Sequence, residues 1–272
     1  MRRLALLALL TVACSSGVAT NADGSLPDTD SGADGAMDAT AQDAPSPPKD
    51  AGDGRDDILG TFGPGACPLV TADLSSASPS LREDGLVFVM GETFDRASLS
   101  PGGQTLFDTP NAGGSSFESE VMSFEVLHFC EGATLLKTET EIAYTPPDDA
   151  GANSITDVLV QIDGKKVGVS VTRAYRPKPQ VFSQADAKAL LETKLAGVNR
   201  SSQRVLAADK WDKQILHVFV ADKAAHDAVL AAYPTIDPSL RADTIVLVTQ
   251  TTGGGFIYCN PDPPLGAECP PI

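Results

Sequence analysis

Four carboxylates and a short basic run are the residues of this chain best suited to chemistry. Glu118, Glu120 and Glu125 fall within one segment, Asp157 opens a later one, and Arg173, Arg176 and Lys178 follow, with Lys165 and Lys166 upstream. Carboxylates of this kind can hold a hard divalent cation, and neighbouring basic side chains can contact phosphate. Each residue also has a plainer role. Asp157 can cap a strand after Asn153-Ser154, and Glu118 suits the first turn of a helix. Ser170 and Thr172 alternate with Val169 and Val171 as in a half-exposed strand, and the basic run can be solvated charge on an acidic domain. His217 alternates with apolar neighbours, which fits a satisfied histidine better than a ligand, and Trp211 fits an anchor at the core's edge. The chain has no Gly-x-Ser-x-Gly elbow. Gly253-Gly254-Gly255 leads into the strand-like Phe256-Ile257-Tyr258, so it reads as a flexible turn rather than a phosphate loop.

The cysteines carry a second kind of chemistry. Besides Cys14 there are Cys67, Cys130, Cys259 and Cys269. An even number in an oxidising compartment suggests two disulfides, with three possible pairings. Cys259 and Cys269 flank a Pro/Gly-rich tail and could close it locally. Cys67 and Cys130 would then tie the start of the domain to a helix. Zinc is disfavoured, because no close Cys-x-x-Cys pair is present and the only histidines are His128, His217 and His226.

The elements that must position these residues are readable from residue 115 onward. Ser115-Ser116-Phe117-Glu118 resembles a capping box, and Phe117, Val121, Phe124 and Leu127 follow with helical spacing. Strands are expected over 135–144, 155–162 and 167–174, the last two joined by Asp163-Gly164 as a hairpin. A helix capped at Ser183-Gln184-Ala185-Asp186 places Leu190, Leu191, Leu195 and Val198 on one face. A buried strand over 215–220, a helix from Asp222 to about Tyr233, a turn over 238–242 and a strand over 244–249 complete the series. Earlier, 86–90 reads as a strand and 99–114 as loop. The fold class is α/β (α+β): a mixed sheet flanked by helices in the order helix, three strands, helix, strand, helix, strand.

Over residues 115–250 that order resembles the restriction-endonuclease-like superfamily of PD-(D/E)xK nucleases. The resemblance implies a glutamate on the first helix, an aspartate opening the second strand and Glu-x-Lys on the third. The carboxylates of such a site hold Mg2+ ions that bind the scissile phosphate and activate water. Asp157 fits the aspartate, and Glu125 is assigned as the helix glutamate; together they would be the metal ligands. Ser170 takes the second glutamate's place and Thr172 the lysine's. Arg173 could restore the charge, yet as a strand neighbour it points to the face opposite Thr172. The expected function is therefore a non-catalytic, nuclease-like domain in a binding or envelope role. The alternative is a metal-dependent nuclease or phosphodiesterase rearranged around Asp157, Glu125, Thr172 and Arg173, with Mg2+ as cofactor.

Localisation is read from the other end of the chain. Arg2 and Arg3, the apolar run Leu4 to Leu10 and the small residues Thr11 to Ala13 precede Cys14. That apolar run is far short of the roughly 20 residues needed to span a bilayer. The pattern resembles a bacterial lipoprotein leader, which implies cleavage after residue 13, acylation of Cys14 with a palmitate-type chain, and a membrane anchor. Ser15, where a retention aspartate would stand, implies the outer membrane. Ten aspartates against Lys49 and Arg55 fill residues 15–57, with almost no large aliphatics. Such a stretch cannot bury enough surface to order itself, so 14–58 is expected to be a disordered tether and 59–272 one globular domain. Asp28 to Gly35 lacks the glycine placement and closing glutamate of a calcium loop. The whole chain carries −16. That balance argues against a broad nucleic-acid surface and names no protein partner.

Overall fold

The computed structural model describes residues 58–89, 92–110, 117–146 and 154–258. The leader, Cys14, the aspartate-rich segment, Ser115-Ser116, Cys259 and Cys269 lie outside the described residues.

The elements run β1 (Thr61–Phe62), β2 (Ser80–Val87), α1 (Pro101–Asp108), α2 (Phe117–Glu131), β3 (Thr134–Thr138), β4 (Val158–Ile162), β5 (Lys165–Ala174), α3 (Gln184–Arg204), β6 (Lys213–Val220), α4 (Lys223–Ala232), α5 (Pro238–Arg241) and β7 (Ile245–Thr252). The strands form one seven-stranded mixed sheet in the order β1-β2-β7-β6-β5-β4-β3. β3, β4 and β5 are an antiparallel meander, whereas β5, β6, β7 and β2 run parallel. From α2 onward the helix, three strands, helix, strand, helix, strand order stands as expected.

Local chemistry explains most of these elements. Asp163 and Gly164 both adopt positive φ, 48° and 74°, the geometry a two-residue hairpin requires between β4 and β5. Ser183 accepts from the Asp186 amide and Asp186 returns a bond to the Ser183 amide, a complete capping box for α3. Asp222 caps α4 by accepting the Ala225 amide at 2.8 Å.

The sheet is covered on both faces. Val167, Val169 and Val171 of β5 and Ile215 and Phe219 of β6 pack with Val121, Met122 and Phe124 of α2. Ala174, Leu216, Val218 and Val220 point the other way, onto Leu191 and Leu195 of α3 and Val229 of α4. Near the meander, Trp211 packs with Ile142, Leu159 and Val205, and its Nε1 donates to Ser202 Oγ at 3.0 Å. Trp211 is thus the anchor its place before β6 suggested.

Several boundaries differ from the expectations. The early strand is Ser80–Val87 rather than 86–90, because β2 pairs along its length with β7. The segment 99–114 contains α1, capped by Ser100, which accepts from Gly103 N at 3.1 Å. The strand expected over 135–144 stops at Thr138, where the Glu141 carboxylate accepts the Thr138 amide at 2.9 Å and turns the chain. Phe256 to Tyr258 belong to a 3-10 turn, Gly255–Tyr258, not to a strand.

Candidate functional site

Asp157 sits immediately before β4, at the mouth of a small cleft. Its amide donates to Val169 O at 3.1 Å, and its Oδ2 accepts the Val171 amide at 2.6 Å. The carboxylate therefore takes a place in the β4–β5 ladder. Behind it, Thr156 is fixed by Tyr144 Oη, which accepts its amide at 2.8 Å, and by Ser201 Oγ at 3.0 Å.

The cleft is lined by Leu106, Phe117, Glu120, Thr138, Glu139 and Asp157, among others, and has a volume of about 20 Å³. That is room for about one water-sized group. Burial pushes the Asp157 carboxyl up to about 8, reinforced by the negative charge of Glu120 and, more weakly, of Glu139. The Val171 amide and the charge of Lys194 oppose the rise. At that value Asp157 is largely protonated near neutrality. Among the described residues, no group of three or more His, Cys, Asp or Glu side chains is placed to hold a metal ion.

The other candidate residues divide between the two faces of the sheet. Arg173 lies on the α2 face. Its Nη1 donates to Ile257 O at 3.3 Å. Burial lowers its basicity, and the charges of Glu118 and Glu120 partly restore it. Burial likewise raises Glu118, opposed by a bond to its own amide and by Arg173. Thr172 and Ser170 stand in register with Val218 and Leu216 of β6, on the face covered by α3 and α4. Asp157 and Arg173 thus share surroundings with Glu120, while Thr172 is separated from Arg173 by the sheet itself.

Glu125 faces elsewhere. Its carboxylate accepts the Ser100 amide at 3.1 Å and the Ser100 hydroxyl at 2.6 Å, docking the start of α1. It lies five positions along the helix from Glu120, about 140° around the axis. Glu120, rather than Glu125, is the helix carboxylate beside Asp157. The α2 sequence gives little warning of this, since Glu118, Glu120 and Glu125 are all buried and no polar face marks the cleft.

His217 occupies the core. Its Nδ1 bonds Ser123 Oγ and its Nε2 bonds Thr249 Oγ1, both at 2.8 Å. Burial drives the ring down to about 3, so it is neutral under ordinary conditions. This fully enclosed chain joins α2, β6 and β7 and has no access to a substrate. The basic run does not converge either: Lys165 and Lys166 begin β5 and Arg173 nears its end, about 25 Å away along the strand. Arg176 pairs with Asp186 at 2.6 Å. Cys67 and Cys130 are joined in a disulfide, one of the pairings the spacing left open.

No protein-family model matches the chain. A curated relative from Dictyostelium discoideum, the AAC-rich mRNA clone AAC4 protein, is 43% identical over 167 residues, covering 59% of this chain. The chain spans only about a quarter of that relative's length, 24%. Among solved structures, Pyrococcus furiosus SfsA in complex with Ca2+ aligns over 54% of this chain and 70% of its own, at 15% identity and a TM-score of 0.25.

Proposed function

We propose that this chain is an exported lipoprotein, anchored through Cys14 at the outer membrane, whose α/β domain serves a non-catalytic binding or envelope role. The run of α2, the β3-β4-β5 meander, α3 and the parallel β6 supports the nuclease-like part of this reading. The observation that carries the non-catalytic reading is the use of Asp157. Its Oδ2 is taken up by the Val171 amide at 2.6 Å, and Thr172, in the lysine's place, lies across the sheet from Arg173. A second reading has one observation in its favour: Asp157 and Glu120 line one cleft, so a rearranged Mg2+-dependent nuclease or phosphodiesterase would be built from that pair.

The two readings separate in a single assay. The full chain is incubated with Mg2+ and either plasmid DNA or bis(4-nitrophenyl) phosphate, beside Asp157→Ala. Turnover equal in the two proteins, at the level of a buffer control, is expected. Mg2+-dependent cleavage lost in Asp157→Ala would overturn the non-catalytic reading. For the anchor, mass spectrometry of the mature N-terminus should find Cys14 acylated; a free Cys14, or a different first residue, refutes it.

A further inference from the structure

The last turn of α2 grips the segment that leads into the domain, using three consecutive residues. Phe129 stacks on Phe62 with ring centroids 5.6 Å apart. Cys130 is bonded to Cys67. Glu131 accepts the amides of Leu69, Val70 and Thr71, and also the Thr71 hydroxyl. The carboxylate thereby satisfies a cluster of amides at the start of a 3-10 turn, Thr71–Asp73. Beyond the grip, Asp73 binds Arg82 and Ser80, and Lys213 donates to Ser76 O at 2.6 Å.

Upstream of Cys67 the attachment is lighter: Leu59 is buried in the core, the Gly60 amide donates to Glu92 Oε1 at 2.7 Å, and Phe62 makes the stack on Phe129. β1 contributes two residues, paired antiparallel with Val87 and Leu86 at one end of β2. A two-residue antiparallel pair at the edge of a sheet holds its chain only marginally. Downstream, β2, α1 and nearly all of α2 lie between the two cysteines, inside a loop of sequence separation 63. A covalent link across that loop prevents those elements from being drawn out while it is intact.

We infer that the grip of Phe129, Cys130 and Glu131 is a mechanical stop, which halts a pull on the N-terminal side of the domain at Cys67 and keeps β2 seated in the sheet. The inference rests on the tether reading for its biological setting, but its test does not: force is applied to the chain directly, whatever the fate of Cys14. A disulfide alone would only shorten the extension. The stop requires in addition that the folded sheet yield later when the grip is intact.

The test is single-molecule pulling on the full chain, held at its two ends, with and without tris(2-carboxyethyl)phosphine, beside Cys130→Ser and Glu131→Gln. The intact protein should give an unfolding extension shorter by roughly 20 nm than the reduced one, the length of a stretched 63-residue loop. Its first major rupture should come at a higher force than in reduced protein or Cys130→Ser. Glu131→Gln, with the disulfide retained, should keep the shortened extension and rupture at a lower force than wild type. Equal first-rupture forces in oxidised and reduced protein, or an extension unaffected by reduction, would overturn the inference.

Discussion

Replacing Asp157 by asparagine separates the two roles of its carboxyl group. Oδ2 accepts the Val171 amide at 2.6 Å, and an asparagine carbonyl can accept the same bond. What asparagine removes is the charge. Burial and the nearby Glu120 raise Asp157 from its ordinary 3.8 to about 8, so between those values the folded chain holds a proton that the unfolded chain has lost. The folded value is the higher one. The associated stability is therefore complete below about 4 and is lost as pH rises through 8. For one proton the steepest decline is about 1.4 kcal/mol per pH unit, a ceiling that relaxation reduces. Urea unfolding at pH 5, 7 and 9, followed through the single tryptophan, Trp211, measures this directly. Relative to wild type, Asp157→Asn should gain stability between pH 5 and about 8 and level off above it. Asp157→Ala leaves the Val171 amide without its acceptor and should fall about 1–3 kcal/mol below Asp157→Asn at every pH. Parallel profiles for wild type and Asp157→Asn would refute the raised-carboxyl argument, and equal stabilities of the two variants would refute the bonding argument.

His217 gives the opposite sign. Its folded value of about 3 lies below its ordinary 6.5, so its contribution is present above 6.5 and is lost as pH falls toward 3; acid urea titrations should show that slope removed in His217→Leu, at a separate cost from the stranded Ser123 and Thr249 hydroxyls. At Gly168 a Cβ would lie 2.7 Å from the Trp211 indole, so Gly168→Val should cost about 1–3 kcal/mol and shift the Trp211 emission; an unchanged melting temperature would refute the contact. Reducing Cys67–Cys130 opens a loop of separation 63 and should cost about 4 kcal/mol by loop entropy, read as a lower urea midpoint with reductant than without.

What was legible in the sequence was local. The Asp163-Gly164 turn, the Ser183/Asp186 box, the Asp222 cap and the apolar run of β6 are each signalled within a few residues, and each stands in the structure. α1 was hidden because its first turn contains Gly102 and Gly103. Those glycines answer a distant demand: a Cβ there would lie 2.4 Å from the Phe124 ring and 2.0 Å from Glu125 Oε1. The span of β2 was hidden because Arg82 and Glu83 are exposed and polar, and its strand character comes from β7. That Glu120 rather than Glu125 lines the cleft with Asp157 was hidden on the same ground, since a helix buried nearly all round has no polar stripe to show which carboxylate meets the sheet. The Ser123–His217–Thr249 chain joins three elements far apart in sequence, and only the packed sheet brings them together.

The pairing of β2 with β7 also sets the order of assembly. Ser80 is opposite Ile245, so an interior strand near the beginning of the domain waits for a partner from near its end. The β4–β5 hairpin can close as soon as it exists, and β6 can be added through α3, but β2 has no long neighbour until β7 arrives. Contacts of such long range form slowly. The chain should thus remain incompletely folded through most of its synthesis, with the sheet's centre the last part to close.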